Sequence, residues 1–267
     1  FVRRSGKLHD ISMQQQMELS SLPKAKESIE DQYQELLIRL EAYRRELESE
    51  AEINYQEMVD YYTLWAHQIK TPIAAMKLLN QSDQIDRRAM EAELFKTEQY
   101  VEMVLSYLRA GNLSSDLVLQ RYFLDEIAKK AIRKYSSLFI LKKIELEFHP
   151  SKVEVLTDER WAVFVVEQIL SNALKYTKKG KIIVQIKGDS IIVQDTGIGI
   201  SREDLPRVME KGFTGYNGRQ DRKSTGIGLY LCKKIMKKLG HLIEIESEVG
   251  KGTTVILNFG REFEIAE

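Results

Sequence analysis

What this 267-residue chain lacks narrows its function first. A single cysteine cannot close an internal disulfide, which fits a reducing compartment. Its 40 Lys+Arg residues are matched by 40 Asp+Glu and the formal net charge is zero, so no global basic field marks it as a binder of nucleic acid. No window approaches the roughly 18 apolar residues needed to cross a bilayer, so the chain is expected to be soluble. No internal repeat or low-complexity segment interrupts it. Its length excludes a single mini-domain and calls for two globular parts, or one part and an elongated helical arm.

What is present begins with Phe1 and Val2, followed by Arg3, Arg4 and Lys7. Basic residues after an apolar stub are the pattern of the cytoplasmic flank of a membrane helix, and equally of an arbitrary boundary. The expectation is a membrane-proximal segment over residues 1–27, in the cytoplasmic portion of a membrane protein. From Ile29 apolar residues recur at Tyr33, Leu36, Leu40, Tyr43, Leu47 and Ala51, then at Met58, Tyr61 and Trp65. Alternating steps of four and three with Glu, Gln and Arg between them are the heptad period of a coiled coil, expected over residues 28–59. Tyr43, Leu47 and Ala51 give two successive steps of four, the arithmetic of a stutter that locally unwinds such a coil.

The helical pattern runs on to about Leu79, breaks at Asn80 to Asp83, and resumes in a stretch carrying Leu94, Val101, Leu105 and Leu108. That is a helical hairpin over residues 60–111, whose seam must be covered by a second copy, giving a four-helix bundle in a homodimer. Asn112 to Asp116 reads as a hinge. Residues 117–267 then alternate: helix Leu124 to Ser137, strand Ile144 to Phe148, helix Asp158 to Thr177, strands Lys181 to Lys187 and Ile191 to Gln194, helix Gly226 to Leu239, and strands Leu242 to Ser247 and Thr253 to Phe259. The fold class expected is therefore α+β multidomain, a helical arm and hairpin followed by an α/β sandwich with helices on one face.

Of the four histidines, one has a setting suited to chemistry. At ~100° per residue Tyr61, Trp65, Ile69, Pro72, Met76 and Leu79 cluster on one side of the helix, and His67 lies roughly 160–200° from their centre. His67 is thus expected to face water, with Thr71 on the same face and Lys70 beside it, free to act as a nucleophile. His149 and His241, at element ends, read as structural. Pro72 removes a helical hydrogen bond and pushes on the Gln68 carbonyl, so a bend is expected one turn from His67.

Two glycine-rich elements stand in the C-terminal half. Asp195-Thr196-Gly197-Ile198-Gly199 follows a strand, and Thr225-Gly226-Ile227-Gly228-Leu229 opens a helix, where backbone N–H groups can meet phosphate. Neither is a dinucleotide fingerprint, and no Walker A lysine follows the glycines, so a different nucleotide site is indicated. The polar connection from Ser201 to Thr225 reads as a lid. On the preceding helix Gln168, Asn172, Lys175 and Tyr176 fall within about 100° of arc and offer a metal-binding amide oxygen, a phosphate cation and an aromatic plate. Cys232 shares a helical face with Leu229, Met236 and Leu239 and is expected to be a small core residue.

Taken together, Trp65 to Ile73, Glu167 to Thr177, Asp195 to Gly199, Thr225 to Leu229 and Gly250 to Thr253 resemble, in order, the H, N, G1, G2 and G3 boxes of bacterial sensor histidine kinases, whose ATP-binding domain is of the GHKL type. His67-Gln68-Ile69-Lys70-Thr71-Pro72-Ile73 and Gly212 to Arg219 resemble the intramembrane-sensing branch that works beside peptide-antibiotic ABC transporters. The resemblance implies that His67 accepts the γ-phosphoryl group of ATP, that Asn172 holds Mg²⁺, that Lys175 contacts phosphate beside Tyr176, and that Asp195 receives the adenine amino group. It implies that Gly226 and Gly228 meet the phosphates, that Gly197 and Gly199 belong to the nucleotide site, and that Thr253 supports the adenine end near Asp195. Phosphate would pass to an Asp of a response regulator, and Thr71 would help water remove it again. Gln68 departs from the acid that often follows the histidine and can only hydrogen-bond, which leaves open the acceptor of the His67 proton. ATP-hydrolysing relatives place a Glu four before the Asn, where this chain has Gln168. Two alternatives remain at this point, a chaperone- or topoisomerase-like ATPase and a non-catalytic dimerisation scaffold.

Overall fold

The structure is a computed structural model that describes residues 28–81, 86–111, 117–215 and 226–260. The expected segment 1–27, the hinge 112–116, and the part of the lid from 216 to 225 lie outside the described residues. The chain divides into two compact units, residues 1–63 and residues 64–267.

The described part of the first unit belongs to α1 (Ser28–Asn80), a helix of 53 residues. Its charged residues pair along the axis at helical spacing: Arg39 with Glu35 at 2.6 Å, Arg44 with Glu41 at 2.8 Å and also with Glu48, and Arg45 with Glu41 at 3.0 Å. The Arg44 guanidinium, joined by Arg45, holds the Glu41 carboxyl down at about 2. Such exposed pairs are screened by water and stabilise little, so they do not account for a helix of this length. Ile29, Tyr33, Leu36, Leu40, Tyr43 and Leu47, the heptad seam, are exposed.

The second unit holds the rest of α1 and α2 (Arg87–Gly111), which starts where Asp86 Oδ1 accepts from the backbone N–H groups of Arg88 and Ala89 at 3.0 and 3.1 Å. Pro72 is buried, and α1 runs through it to Asn80. On α2 the side facing its own chain is Phe95, Val104 and Tyr107, whereas the apolar stripe read from the sequence, Leu94, Val101, Leu105 and Leu108, is exposed. The aromatic residues fill the intrachain contact, and the aliphatic stripe is left for another surface.

The remainder is a mixed sheet with helices. After β1 (Gln120–Phe123) come α3 (Leu124–Lys142), β2 (Glu145–His149), β3 (Glu154–Thr157), α4 (Glu159–Tyr176), β4 (Lys181–Lys187), β5 (Ser190–Asp195), α5 (Gly228–Leu239), β6 (Leu242–Glu248) and β7 (Gly252–Asn258). The five-stranded order is β2-β4-β5-β7-β6, with only β2 and β4 parallel. Period-two patterning sends Ile182, Val184, Ile186, Ile191, Val193, Val255 and Leu257 to one buried face, where α3, α4 and α5 cover them. β1 and β3 form a separate antiparallel pair that period-two reading did not reveal, because each spans only four residues. α3 continues five residues past the expected Ser137, and Cys232 is fully buried in the core.

Candidate active site

The first group of functional side chains sits on α1. His67, Lys70 and Thr71 are exposed on one side, as the helical arithmetic places them, and the Thr71 hydroxyl leans back toward the His67 carbonyl at 3.4 Å. Gln68 turns the other way: it is half-buried, and its Oε1 accepts from the Tyr100 hydroxyl of α2 at 3.2 Å. Trp65 Nε1 donates to the Tyr100 carbonyl at 2.9 Å. Tyr100 carries no motif signal and is reached only through the fold of the hairpin.

The second group gathers at the C-terminal end of α4. That helix is started by Asp158, whose Oδ1 accepts from the N–H groups of Arg160 and Trp161 at 3.0 and 3.4 Å, while its Oδ2 accepts from Val118 N–H at 3.0 Å. Capping fixes the helix register, so Gln168, Asn172, Lys175 and Tyr176 share one side, Gln168 buried and the other three half-buried. The Lys175 ammonium lies 5.2 Å from the centre of the Tyr176 ring.

Backbone close to backbone explains the glycines. A Cβ on Gly197 would come within 2.7 Å of both the Tyr176 carbonyl and Asp195 Oδ1, so the turn after β5 is pressed against the end of α4. Gly199, at φ +70°, passes the Glu248 carbonyl so closely that a Cβ would lie 2.0 Å from it. Gly228 opens α5 beside α4, with its would-be Cβ 3.1 Å from Gln168 Oε1. Gly226 lies against Gly212 and Phe213, and the Gly212 N–H donates to the Gly226 carbonyl at 3.1 Å.

Asp195 ends β5 beside these turns. It is buried, and its Oδ1 accepts from the N–H groups of Gly197 at 2.8 Å and Thr253 at 3.3 Å. Burial pushes this carboxyl up from the usual range, and the two N–H groups oppose the shift. The Thr253 hydroxyl lies 2.9 Å from that of Ser247, which accepts from Ile200 N–H at 2.8 Å and so ties the turn to β6. Beside Ser247 is a cavity of about 350 Å³ lined by Ile200, Arg202, Ser247, Glu248 and Val249. Ser247 had no sequence signal, since it looks like any polar residue on an alternating strand.

A third feature joins α2 to the α/β layers. Lys134 of α3 donates to Glu167 Oε2 of α4 at 2.6 Å and also pairs with Glu102 of α2, while the Tyr135 hydroxyl donates to Gln99 and its ring meets Phe95 edge-on at 5.4 Å. Burial pushes Glu167 up against the opposing pull of Lys134. Glu167 therefore faces α2 and α3, about 100° around α4 from Gln168. Elsewhere His241 is buried with Nε2 3.0 Å from the Thr157 hydroxyl, and His149 is exposed near Glu147.

The donor set suits a nucleotide carrying Mg²⁺. Mg²⁺ keeps several waters and takes much of its shell from phosphates, so one half-buried amide such as Asn172 could complete the protein's share of its coordination. Among the described residues no cluster of three His, Cys, Asp or Glu side chains could form a dedicated metal cage.

Residues 157–262 match the family described as Histidine kinase-, DNA gyrase B-, and HSP90-like ATPase. Over 256 residues the chain is 30% identical to Sensor protein BceS of Halalkalibacterium halodurans, covering 93% of this chain and 76% of that protein. It is 32% identical over 255 residues to Sensor histidine kinase GraS of Staphylococcus epidermidis, covering 91% and 72%. Among solved structures, histidine kinase ThkA in complex with response regulator protein TrrA matches with a TM-score of 0.54 at 18% identity, over 83% of this chain and 67% of that chain, a likeness of fold.

Proposed function

This chain belongs to the sensor histidine kinase family, and from that premise we propose that His67 is the residue it phosphorylates. The chain is a protein-histidine kinase with an ATP-binding domain of the GHKL type. The observation that carries the site assignment is a separation. His67 is exposed on a helix of the hairpin, while elements far apart in sequence border α4, the Asp195–Gly197 turn against Tyr176 at its end and Gly228 beside Gln168, one turn before Asn172.

In this reading the ends of the nucleotide are held by different elements. Both N–H bonds to Asp195 fall on Oδ1, which leaves Oδ2 to receive the adenine amino group, with Thr253, Gly197 and Gly199 shaping that end. Lys175 and the backbone N–H groups of Gly226 and Gly228 hold the phosphates, and Tyr176 offers its ring face. Asn172 would hold Mg²⁺, which when bound neutralises charge on the phosphates. A lone pair of neutral His67 attacks the γ-phosphorus in line, the bond to the bridging oxygen breaks, ADP leaves, and the imidazole gives up its proton.

The phosphoryl group then passes to an Asp carboxylate of a response regulator docked on the hairpin, and Thr71 orients the water that later removes it. We divide the chain accordingly: 1–27 membrane-proximal, 28–59 coiled coil, 60–111 dimerisation and phosphotransfer hairpin, 112–116 hinge, 117–267 ATP-binding domain. The exposed heptad seam of α1 and the aliphatic stripe of α2 support a homodimer. The resemblance of His67 to Ile73 and of Gly212 to Arg219 to the intramembrane-sensing branch supports the reading of this chain as the cytoplasmic portion of a membrane-anchored sensor working beside a peptide-antibiotic transporter, and the relatives BceS and GraS are named as sensors. A chaperone-like ATPase is less well supported, because the Gln168 amide, unlike a carboxylate, cannot take a proton from water.

Incubation with labelled Mg-ATP tests the reading. Acid-labile, alkali-stable label is expected on the chain and none on His67→Gln; label retained by that variant removes His67 from its role, and steady phosphate release without label favours the ATPase.

A further inference from the structure

We propose that Tyr100 is a positioning residue for phosphoryl transfer, setting the rotation of α1 at His67 by gripping the two side chains that flank it. The inference rests on His67 being the phosphoacceptor.

Trp65 and Gln68 are three apart, ~60° around the helix axis, and His67 lies about 130° from their mean direction. One residue holds both: its carbonyl accepts from the Trp65 indole at 2.9 Å, and its hydroxyl donates to Gln68 Oε1 at 3.2 Å. Pulling on that side drives His67 to the opposite side, where it is exposed. The grip falls where the helix needs it, since Pro72 has no N–H to give the Gln68 carbonyl and the ladder is one bond short there. In-line attack tolerates little error, and ~1 Å of misplacement can reduce a rate about 10²-fold.

The grip also answers what Gln68 does in place of an acid. Its carbonyl oxygen, the only part of the side chain able to accept a proton-bearing donor, is engaged by Tyr100 on the far side from His67. Gln68 therefore anchors the helix and is not the acceptor of the His67 proton. Burial, with Glu93 adding to it, pushes the Tyr100 phenol up, so it remains a donor throughout the neutral range.

The test compares the parent chain with Tyr100→Phe, which keeps the ring and removes only the hydroxyl. The initial rate of autophosphorylation at saturating Mg-ATP should fall about fivefold to tenfold, with KM for Mg-ATP and the thermal midpoint unchanged, because the nucleotide site and the packing are untouched. Tyr100→Phe introduced into Gln68→Met should cost nothing further, since the partner of the hydroxyl is already gone. A parental rate for Tyr100→Phe overturns the proposal, as does a rise in KM that accounts for the loss, or an undiminished loss in the Gln68→Met background. If His67→Gln keeps its label, the phosphoacceptor reading and this proposal fall together; if it loses the label while Tyr100→Phe is unimpaired, only the proposal falls.

Discussion

The helical arm and the α/β layers are built on opposite principles. Along α1 the residues at Tyr33, Leu36, Leu40 and Tyr43 expose roughly three-fifths of their surface (65%, 62%, 61% and 59%), while from Leu124 to Phe259 the apolar residues close into one continuous core. The second region is complete within one chain. The first carries a seam that no described residue covers, the pattern of a helix whose apolar stripe is suited to association.

The sharpest way to break this contrast is to damage the firm element. Leu170 is fully buried on α4, and Leu170→Ala should destabilise the α/β region by about 2–5 kcal/mol. Differential scanning calorimetry should show its transition shifted down, with circular dichroism retaining the helical signal of the arm at temperatures where the sheet has melted. A shift under about 0.5 kcal/mol would mean that this core is not the continuous unit described.

A smaller effect is expected at Asp195. Asp195→Asn should weaken adenosine binding about tenfold to a hundredfold, in line with loss of a charge-assisted hydrogen bond, and leave both transitions in place. In the parent the acceptor is the ionised form. Because burial raises this carboxyl, binding should be full at neutral pH and should fall with acidification sooner than an ordinary carboxylate would dictate. The reverse trend, binding that improves on acidification, would show that the carboxylate is not the acceptor; isothermal titration with the uncharged nucleoside reads this directly.

The smallest effect on the fold should come from the arm. Leu40→Glu, at an exposed position, should leave the α/β melting transition unchanged within about 0.5 kcal/mol while weakening self-association in sedimentation experiments about tenfold. Unaltered association would take Leu40 out of the dimer seam.

Much of this was legible in the residues because the signals are local. Heptad steps, period-two strands and the capping Asp158 each act over one or two turns, so α1, α4 and five strands of the sheet lie close to where patterning places them. The glycines were equally legible, since a position that must bring backbone against backbone tolerates no other side chain, as Gly197 and Gly199 demonstrate. Long-range pairings were not legible. Tyr100 reaches Trp65 and Gln68 across 35 and 32 positions, and Ser247 reaches Ile200 across 47, with nothing local to announce either. The intrachain side of α2 was not legible either: the pattern marked the aliphatic stripe as a seam for a second copy, and that stripe is exposed, whereas the packing of Phe95 and Tyr107 against the core, Phe95 edge-on to Tyr135 of α3, depends on partners far along the chain.

The sequence by itself determined that this protein has a heptad-patterned arm, an outward-facing histidine five residues before a proline, and glycine turns where backbone meets backbone, since helical pitch and backbone sterics are enough to derive all three. Only the tertiary structure decided that Gln68 points inward to Tyr100, that Glu167 serves Lys134 and not the nucleotide side, and that Oδ1 of Asp195 is already taken. Those choices turn on which of two nearly equivalent partners a side chain meets, and chain folding settles that by bringing together residues that no local rule connects.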